Sequence, residues 1–382
     1  MPATPASYVD SRYMRKALAL ARRMLGRTSP NPAVGCVIVR GGQRGARIVG
    51  QGATAAGGRP HAEAVALARA GARARGATAY VTFEPCAHQG RTPPCARALV
   101  EAGVRRVVIG CVDPYPPVRG RGVAMLRAAG VEVVSGVLED ECRRLNLGFI
   151  TRVTRGRPFV TLKLALSLDG RIAAASGDSK WISSPASRAL VHRWRNEADA
   201  VMVGAGTVAA DNPLLTCRIA GGRDPARVVI DGRLRCSPLA RVFVERSAAA
   251  ALLVTTSANA ARARRRWGAG GRVEVIGCAG RDGEINLRAL MRELGRRGWC
   301  NVLIEGGAHL AGAALGAGIV DRVAFFVAPI VIGAGTPAVE GLGFARVRHA
   351  IALGGLGVRR LGVDLLMEAE VAPRRRARSR RT

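Results

Sequence analysis

Apolar residues follow two different spacings along the 382-residue chain, and these spacings predict the order of its helices and strands. Near the N-terminus they recur at intervals of four, three and four residues, at Met14, Leu18, Ala21 and Leu25. This spacing indicates one face of an amphipathic helix. Strand-like runs such as VGCVIV (34–39) and AYVTF (79–83) then alternate with expected helices, two of which begin near Pro60 and Pro94. The pattern predicts a three-layer α/β/α domain around one sheet over residues 1–150.

A second alternation follows TRVTRGRP (151–158), a polar, basic stretch ending in proline, which we predict to be a linker. The strand-like segments after it are FVTLKLAL, AVMVGAGT, ARVVIDG, ALLVTT, VEVIG, NVLIEGG and RVAFFVAP. Strand–helix repetition of this kind is typical of a mostly parallel sheet covered on both faces. We therefore predict a second, unlike α/β domain over residues 159–372, followed by a disordered basic tail over 373–382.

The net charge of +32 raises the question of nucleic-acid binding. Nearly all the basic residues are arginines, however, since the lysines are only Lys16, Lys163 and Lys180, and they are spread along the chain. We interpret the charge as arginine enrichment in a genome rich in G and C, and expect no specific nucleic-acid partner. The tail PRRRARSRRT (373–382) is the exception, because it is expected to touch RNA or acidic surfaces non-specifically.

Cysteine usage and hydropathy bear on the compartment. The nine cysteines are an odd number without disulfide-framework spacing, which favours a reducing compartment. The N-terminus has no apolar signal-peptide core, and the longest uncharged apolar run, near 323–339, is interrupted by Pro329 and two glycines. We expect a cytoplasmic protein without a membrane partner.

One group of residues suggests hydrolytic chemistry in the first half. HAE places His61 two residues before Glu63, and Cys86 and Cys95 follow, each directly after a proline. Zinc that keeps one position open for water takes about three nitrogen or sulfur ligands, and helix N-termini favour the thiolate form of cysteine. Glu63 is not needed as a ligand and is free to move protons. The set predicts one zinc ion per chain and removal of an amino group from an aromatic ring.

These motifs resemble the cytidine deaminase superfamily, whose zinc is held by one histidine and two cysteines. Much of that superfamily has a tight Pro-Cys-x-x-Cys, whereas here eight residues, AHQGRTPP, separate the cysteines. The longer loop, with TSPNPAVGCVIV (28–39) upstream, is similar to the deaminase half of the bifunctional riboflavin-biosynthesis deaminase–reductases. The resemblance implies that Asn31, His88 and Arg91 hold a diaminopyrimidine and its ribose phosphate.

The second half contains two glycine-rich segments that suit a dinucleotide. VLIEGGAHLAGAAL (302–315) predicts a strand whose EGG turn leads into a helix, so that bare backbone N–H groups face a pyrophosphate. VGAGT, with Thr207, ends another strand, where open α/β sheets bind ligands. Together with KLALSLDGRIAAASGDSKWIS (163–183), these segments resemble the reductase half of the same family, which has a dihydrofolate-reductase-like fold.

The resemblance implies a site residue by residue. The sugar-phosphate substrate would be held by Lys163, Ser179, Arg195, Leu215, Arg218 and Glu305. The cofactor NADPH would be held by Ala165, Trp181, Thr207, Asp211, Gly232, Gly307, Ala308, His309, Leu310, Ala311, Gly312 and Ala313. Lys163 and Asp211 are expected to polarise the ribose carbonyl and organise the site. The resemblance further implies a homo-oligomer formed through the reductase domain.

The chain departs from the family pattern at a few positions. Thr54 replaces a usual histidine, Gly232 replaces a serine, and Ala87, Gln89 and Tyr115 also differ. We interpret Thr54 as a missing substrate contact and predict that Thr54→His raises the deaminase kcat/KM, chiefly by lowering KM, and leaves the reductase unchanged. In the competing interpretation an arginine such as Arg59 compensates, and Thr54→His brings no gain.

The resulting expectation is a two-step riboflavin-pathway enzyme that deaminates a pyrimidine nucleotide and then reduces its ribose with NADPH. Two alternatives stay open. A diverged paralogue would have only one active domain, as the changes at Thr54 and Gly232 suggest. A nucleic-acid deaminase or RNA-binding protein would use the positive charge, but the cysteine spacing and the attached reductase argue against it.

Overall fold

The chain forms two compact units, Met1–Gly156 and Arg157–Thr382, hereafter the first and second units. The computed structural model describes residues 7–41, 45–89, 93–116, 118–267 and 272–372. The arginine-rich tail therefore lies outside the described residues.

The boundary between the units differs from the predicted linker. A helix over Leu147–Arg155 covers residues 151–155 of this stretch, and its C-cap is Gly156, whose φ of 66° is in the left-handed region. The helix continues this far because Ile150 and Thr151 are buried. The linker prediction is therefore wrong for residues 151–155, which complete the first unit.

The first unit alternates helices and strands as predicted. In chain order its elements are α1 (Tyr8–Arg22), β1 (Gly35–Arg40), β2 (Arg47–Ala53), α2 (Ala62–Ala70), β3 (Thr78–Phe83), α3 (Cys95–Glu101), β4 (Arg106–Cys111), α4 (Arg121–Ala128), β5 (Glu132–Ser135), α5 (Glu139–Leu145) and α6 (Leu147–Arg155).

The described strands of the first unit form one sheet in the order β2-β1-β3-β4-β5. β1 is antiparallel to both β2 and β3, whereas β3, β4 and β5 are parallel. The α1 stripe is buried at Met14, Leu18 and Ala21, but Leu25 lies beyond the helix, which ends at Arg22. A capping box formed by Ser7 and Asp10 starts this helix. The predicted α/β fold is confirmed for this unit.

The second unit is larger and has more strands. Its elements are β6 (Phe159–Ser167), β7 (Arg171–Ala174), α7 (Pro185–Glu197), β8 (Ala200–Gly204), α8 (Ala205–Asp211), β9 (Ala226–Ile230), α9 (Arg241–Val244), β10 (Ala251–Thr256), α10 (Ala260–Trp267), β11 (Val273–Cys278), β12 (Gly280–Arg281), β13 (Glu284–Ile285), α11 (Leu287–Arg296), β14 (Asn301–Glu305), α12 (Ala308–Gly316), β15 (Arg322–Ala328), β16 (Gly335–Pro337), β17 (Leu353–Leu361) and β18 (Asp364–Val371).

The main sheet of the second unit has the order β11-β10-β9-β8-β14-β6-β15-β18-β17 in the described part of the chain. The strands from β11 to β15 are parallel, and β18 and β17 continue the sheet antiparallel. β6, β14 and β8 are neighbours, so the residues at their carboxyl ends meet at one edge of the sheet. Open α/β sheets bind ligands at this edge. No helix in the described residues is long and apolar enough to cross a membrane.

Candidate active sites

The structure brings the three predicted metal ligands of the first unit together. His61 is the N-cap of α2, Cys95 is the first residue of α3, and Cys86 follows the end of β3. His61 Nδ1 lies 3.2 Å from Cys95 Sγ and 3.6 Å from Cys86 Sγ. The backbone N–H of Cys95 donates to Cys86 Sγ at 3.3 Å. Three segments that are distant in sequence thus meet at one cluster.

The dimensions of this cluster suit zinc. Its ligand atoms all lie within 4.8 Å of one another. Around a tetrahedral zinc with nitrogen at about 2.0 Å and sulfur at about 2.3 Å, neighbouring ligand atoms are roughly 3.5–3.8 Å apart. One thiol is also prepared for a cation, because hydrogen bonds from Cys95 and His61 outweigh burial and lower the pKa of Cys86 to about 4, whereas the hydrogen bond to Cys86 and burial raise the pKa of Cys95. The donor set and its spacing therefore fit a zinc ion with one position left for water.

Glu63 lies beside the cluster in the first turn of α2 and is only 3% exposed. Burial raises the pKa of its carboxyl to about 7, although its own backbone N–H and the charge of His61 favour the ionised form. A carboxyl of this kind takes up and releases a proton near neutral pH, as a general acid–base must.

Cys86→Ala should remove the zinc from the purified protein, because two of three ligands do not hold the ion as three do. Inductively coupled plasma mass spectrometry should find about one zinc per wild-type chain and almost none in the variant. Cys111→Ala removes a buried cysteine outside the cluster and is the matched control. Equal zinc in wild type and Cys86→Ala would show that the ligand set is wrong.

The predicted substrate residues of the first unit lie on loops. The amide of Asn31 donates to Gly58 O at 2.9 Å, in the loop that leads to His61. His88 is exposed and lies close enough to Asp113 for its charge to oppose the effect of burial, which raises the pKa of Asp113 to about 6. Arg91 lies outside the described residues.

Thr54 contacts the backbone of Val34 at the position where the family pattern has a histidine. Its side chain is buried, its hydroxyl accepts from Val34 N at 3.0 Å, and its own N–H donates to Val34 O at 2.9 Å. A histidine at this position would lack the hydroxyl that accepts from Val34 N. The structure therefore argues against the expected gain from Thr54→His, because Thr54 supports the backbone rather than facing open space.

The second unit has a cavity of about 570 Å³ at the carboxyl ends of β6, β8 and β14. Arg195 and Glu305 form a bidentate ion pair in it, with Nε–Oε1 and Nη2–Oε2 distances of 2.7 and 2.9 Å. Lys163 is half-buried next to this pair, and desolvation lowers the pKa of its ammonium although Glu305 acts in the opposite direction. Burial opposes ionisation of Glu305, but the charge and hydrogen bonds of Arg195 keep the pKa of Glu305 below its ordinary value.

Most of the other predicted residues line the same cavity. The Ser179 hydroxyl donates to Asp211 Oδ1 at 2.9 Å, and Trp181 is exposed with the Arg188 guanidinium 4.5 Å from its ring centre. The remaining predicted lining residues are Ala165, Thr207, Leu215, Arg218, Gly307 and Ala308.

A second cavity of about 470 Å³ adjoins the first through shared lining residues, among them Thr207 and Gly307. Its glycine turn requires glycine, because Gly306 and Gly307 have φ values of 79° and 82°. A Cβ on Gly307 would lie 3.0 Å from Thr207 Oγ1. The turn leads directly into α12, so backbone N–H groups face the cavity, as a pyrophosphate site needs. The two cavities together fit an extended dinucleotide.

The predicted run over 307–313 lies only partly along these cavities. His309, Leu310 and Ala313 line the second one, whereas Ala311 and Gly312, both described, line neither. Ala311 is fully buried, and a Cβ on Gly312 would lie 1.6 Å from Glu340 O. Side chains of an α-helix point around its axis, so seven consecutive residues do not share one face.

Gly232 lines the second cavity, and its neighbour explains why it has no side chain. A Cβ there would lie 2.0 Å from Gly283 O, in the turn between β12 and β13. Only the backbone of Gly232 is available to a ligand. In this chain, the glycine at position 232 is therefore explained by the close approach of the turn that contains Gly283.

Several cavity residues were not predicted. His192, one helical turn before Arg195 on α7, lines the first cavity, and Arg233 and Arg235 line the second. The two arginines follow the end of β9, and that position at the ligand-binding edge of the sheet was the available sequence signal.

Comparisons with known proteins find a match for each unit. The cytidine and deoxycytidylate deaminase zinc-binding region matches residues 7–111, and the RibD C-terminal domain matches residues 158–367. The riboflavin biosynthesis protein RibD of Actinobacillus pleuropneumoniae is 41% identical, over 94% of this chain and 94% of the relative. That of Synechocystis is 42% identical, over 94% and 95%.

Solved structures give the same result. The crystal structure of a diaminohydroxyphosphoribosylaminopyrimidine deaminase/5-amino-6-(5-phosphoribosylamino)uracil reductase from Thermotoga maritima has a TM-score of 0.85 and 38% identity, covering 96% of this chain and 99% of its own. Acinetobacter baumannii RibD has a TM-score of 0.83 and 38% identity, covering 95% and 99%.

The folds and sites thus define a zinc-binding deaminase unit joined to a reductase unit with a dihydrofolate-reductase-like fold. The chain belongs to the RibD family of bifunctional riboflavin biosynthesis proteins.

Proposed function

We propose that the chain catalyses two successive steps of riboflavin biosynthesis. The first unit deaminates 2,5-diamino-6-(5-phosphoribosylamino)pyrimidin-4(3H)-one to 5-amino-6-(5-phosphoribosylamino)uracil, and the second reduces the ribose to give 5-amino-6-(5-phosphoribitylamino)uracil. The observation that carries this proposal is the ligand cluster of His61, Cys86 and Cys95 with buried Glu63 beside it, in one chain with a reductase cavity.

In the first unit, the protein positions the substrate and moves protons. Zinc held by the cluster supplies a Lewis acid that lowers the pKa of water. Glu63 takes a proton from the attacking water and delivers one to the departing amine, since its pKa lies near neutrality. Asn31, His88 and Arg91 hold the pyrimidine and its ribose phosphate.

In the second unit, NADPH supplies the hydride. The turn at Gly306 and Gly307 would hold its pyrophosphate, since backbone N–H groups are exposed at the start of α12. Lys163 is placed beside the sugar as its ring opens to the C1′=N imine, whose carbon would take the hydride while the nitrogen takes a proton. The Arg195–Glu305 pair holds Lys163 and the substrate in place. The hydrogen bond from Ser179 fixes the Asp211 carboxylate on the opposite wall.

We place this enzyme in the cytoplasm. None of the nine cysteines, all of which lie in the described residues, forms a disulfide. Cysteines in this number without disulfides are typical of a reducing compartment.

A chain restricted to residues 157–382 should oxidise NADPH when given the deaminated intermediate in the presence of a chelator. Among the described residues, the reductase cavity is lined only by residues of the second unit, and the units divide between Gly156 and Arg157. The turnover is measured as the loss of the absorbance that is specific to the reduced nicotinamide of NADPH. A folded fragment without turnover, beside an active full-length chain, would contradict this division of labour.

The second unit should also form homo-oligomers. β17 is an edge strand of the described sheet, and the exposed side chains on it include Leu353, Leu356 and Val358. An exposed apolar edge strand pairs readily with another chain. Multi-angle light scattering should therefore give a multiple of the 40.0 kDa chain mass, and Val358→Lys should shift it towards the monomer. A monomeric wild type would contradict this assembly.

A further inference from the structure

Three buried side chains hold a segment that precedes β1. The backbone N–H groups of residues 33–35 each donate to a side-chain oxygen, over distances of 2.9 Å to Asn146 Oδ1, 3.0 Å to Thr54 Oγ1 and 3.0 Å to Thr82 Oγ1. The three side chains belong to residues that are at most 3% exposed. Water therefore does not compete for these hydrogen bonds.

Two of the three contacts are reciprocal. The Asn146 amide also donates to Ala33 O at 3.1 Å, so this side chain pairs with the backbone of Ala33 on both sides. The N–H of Thr54 likewise donates to Val34 O at 2.9 Å. Residues 33 and 34 precede β1, which begins at Gly35, so these side chains provide the partners that a neighbouring strand would otherwise give.

Two of the three side chains come from segments that lead to the metal ligands, and the third comes from the junction of two helices. Thr54 begins the loop that leads to His61, and Thr82 lies in β3, four residues before Cys86. Asn146 lies between α5 and α6. The held segment is thereby tied to the His61 loop and to the Cys86 strand independently.

Asn31 lies two residues before the held segment. Its amide donates to Gly58 O, and a Cβ on Gly58 would lie 2.2 Å from Asn31 Nδ2, so the side chain fits closely against that loop. The Thr28 hydroxyl donates to Asn31 O at 3.0 Å. The position of Asn31 relative to the metal ligands therefore depends on where residues 33–35 are held.

We infer that Thr54, Thr82 and Asn146 are positioning residues of the deaminase. They fix residues 33–35 and, through them, the side chain of Asn31 with respect to His61 and Cys86. The inference rests on the proposed function, in which Asn31 binds the pyrimidine substrate. Thr54 acts through the backbone of Val34 rather than by touching the substrate.

Thr54→Val and Thr54→Ser form the decisive pair of variants. Valine keeps the shape of threonine but removes the acceptor for Val34 N, whereas serine keeps the hydroxyl. Thr54→Val should raise the KM of deamination on the order of ten- to a hundredfold with a small change in kcat, because a shift of about 1 Å in a binding group is costly. Thr54→Ser should restore most of the affinity. Zinc content and reductase turnover of the same chain should match wild type.

Asn146→Asp is the second variant, since it keeps the size of the side chain but turns a donor into an oxygen facing Ala33 O. It should raise the KM in the same way and speed hydrogen exchange of the amides of residues 33–35. A wild-type KM in both Thr54→Val and Asn146→Asp, with only a lower unfolding temperature, would overturn the inference and leave a purely structural role.

The variant Asn31→Ala distinguishes a failure of the positioning role from a failure of the proposed substrate contact of Asn31. If it raises the KM while both variants do not, the positioning role alone fails; if it leaves the KM unchanged, the proposed substrate contact itself fails.

Discussion

Glu63→Gln is expected to lower the kcat of deamination about 10²–10⁴-fold while the protein keeps its zinc and its fold. The amide has the size of the carboxyl but cannot take up and return a proton. Glu63 is buried next to the ligand cluster, and its carboxyl pKa of about 7 is suited to proton transfer in both directions. In the described residues, the metal-binding cluster consists of His61, Cys86 and Cys95 and does not need Glu63 as a ligand.

Ammonia release from the diaminopyrimidine nucleotide measures this effect. Elemental analysis of the same sample checks that the zinc is present, and NADPH oxidation by the second unit checks that the chain is intact. Ammonia release close to the wild-type rate in a zinc-loaded Glu63→Gln sample would assign the proton transfer to another group.

Arg195→Met should lower the free energy of unfolding of the second unit by about 3–5 kcal/mol and abolish reduction of the ribose. The Arg195 and Glu305 side chains are 13% and 8% exposed, and they form two hydrogen bonds with each other. Without Arg195, the Glu305 carboxylate would be buried beside Lys163 with its closest partner missing. An unpaired buried charge is more costly than the loss of the pair as a whole.

The double variant Arg195→Met/Glu305→Gln is the matched control, because it removes the charge that the single variant leaves unpaired. Urea denaturation should show that the double variant is more stable than Arg195→Met alone. Deamination should be unaffected in both variants, since the first unit is separate. An Arg195→Met protein as stable as wild type would mean that the ion pair does not contribute to the stability of this cavity.

The metal centre could be predicted from sequence because its evidence is local. Zinc needs particular ligand types, and a proline directly before Cys86 and another before Cys95 indicated that each cysteine lies at a turn or at the start of a helix. The parallel strands were equally predictable, since buried runs such as NVLIEGG are short, apolar and bounded by glycine. Both signals depend on neighbours in sequence, so the sequence alone carries them.

Features that depend on tertiary contacts were not predictable in the same way. The polar stretch 151–158 suggested a linker, but burial of Ile150 and Thr151 extends α6 to Arg155. β17 contains glycines and arginines, and nearly all of its residues are exposed. Its sequence therefore lacks the alternation of apolar and polar residues that indicates a strand. Sequence periodicity does not report such elements.

Thr54 shows a further limit. The substitution of a usual histidine suggested a lost substrate contact, yet the residue is buried and its hydroxyl binds Val34 N. A one-residue difference from a family pattern does not tell whether the side chain faces a ligand or the backbone. To tell a ligand contact from a backbone contact, one needs the three-dimensional positions of segments that are distant in sequence, such as those of Thr54 and Val34.

The most direct test of the two-step function is product analysis with the pure, zinc-loaded protein and the diaminopyrimidine nucleotide. Without NADPH, mass spectrometry should find ammonia release and a product in which an amino group is replaced by oxygen. With NADPH, that product should gain two hydrogens at the ribose. A nucleotide recovered unchanged, or a reaction that stops after one step with NADPH present, would contradict the two-step account and favour a diverged chain with a single active unit.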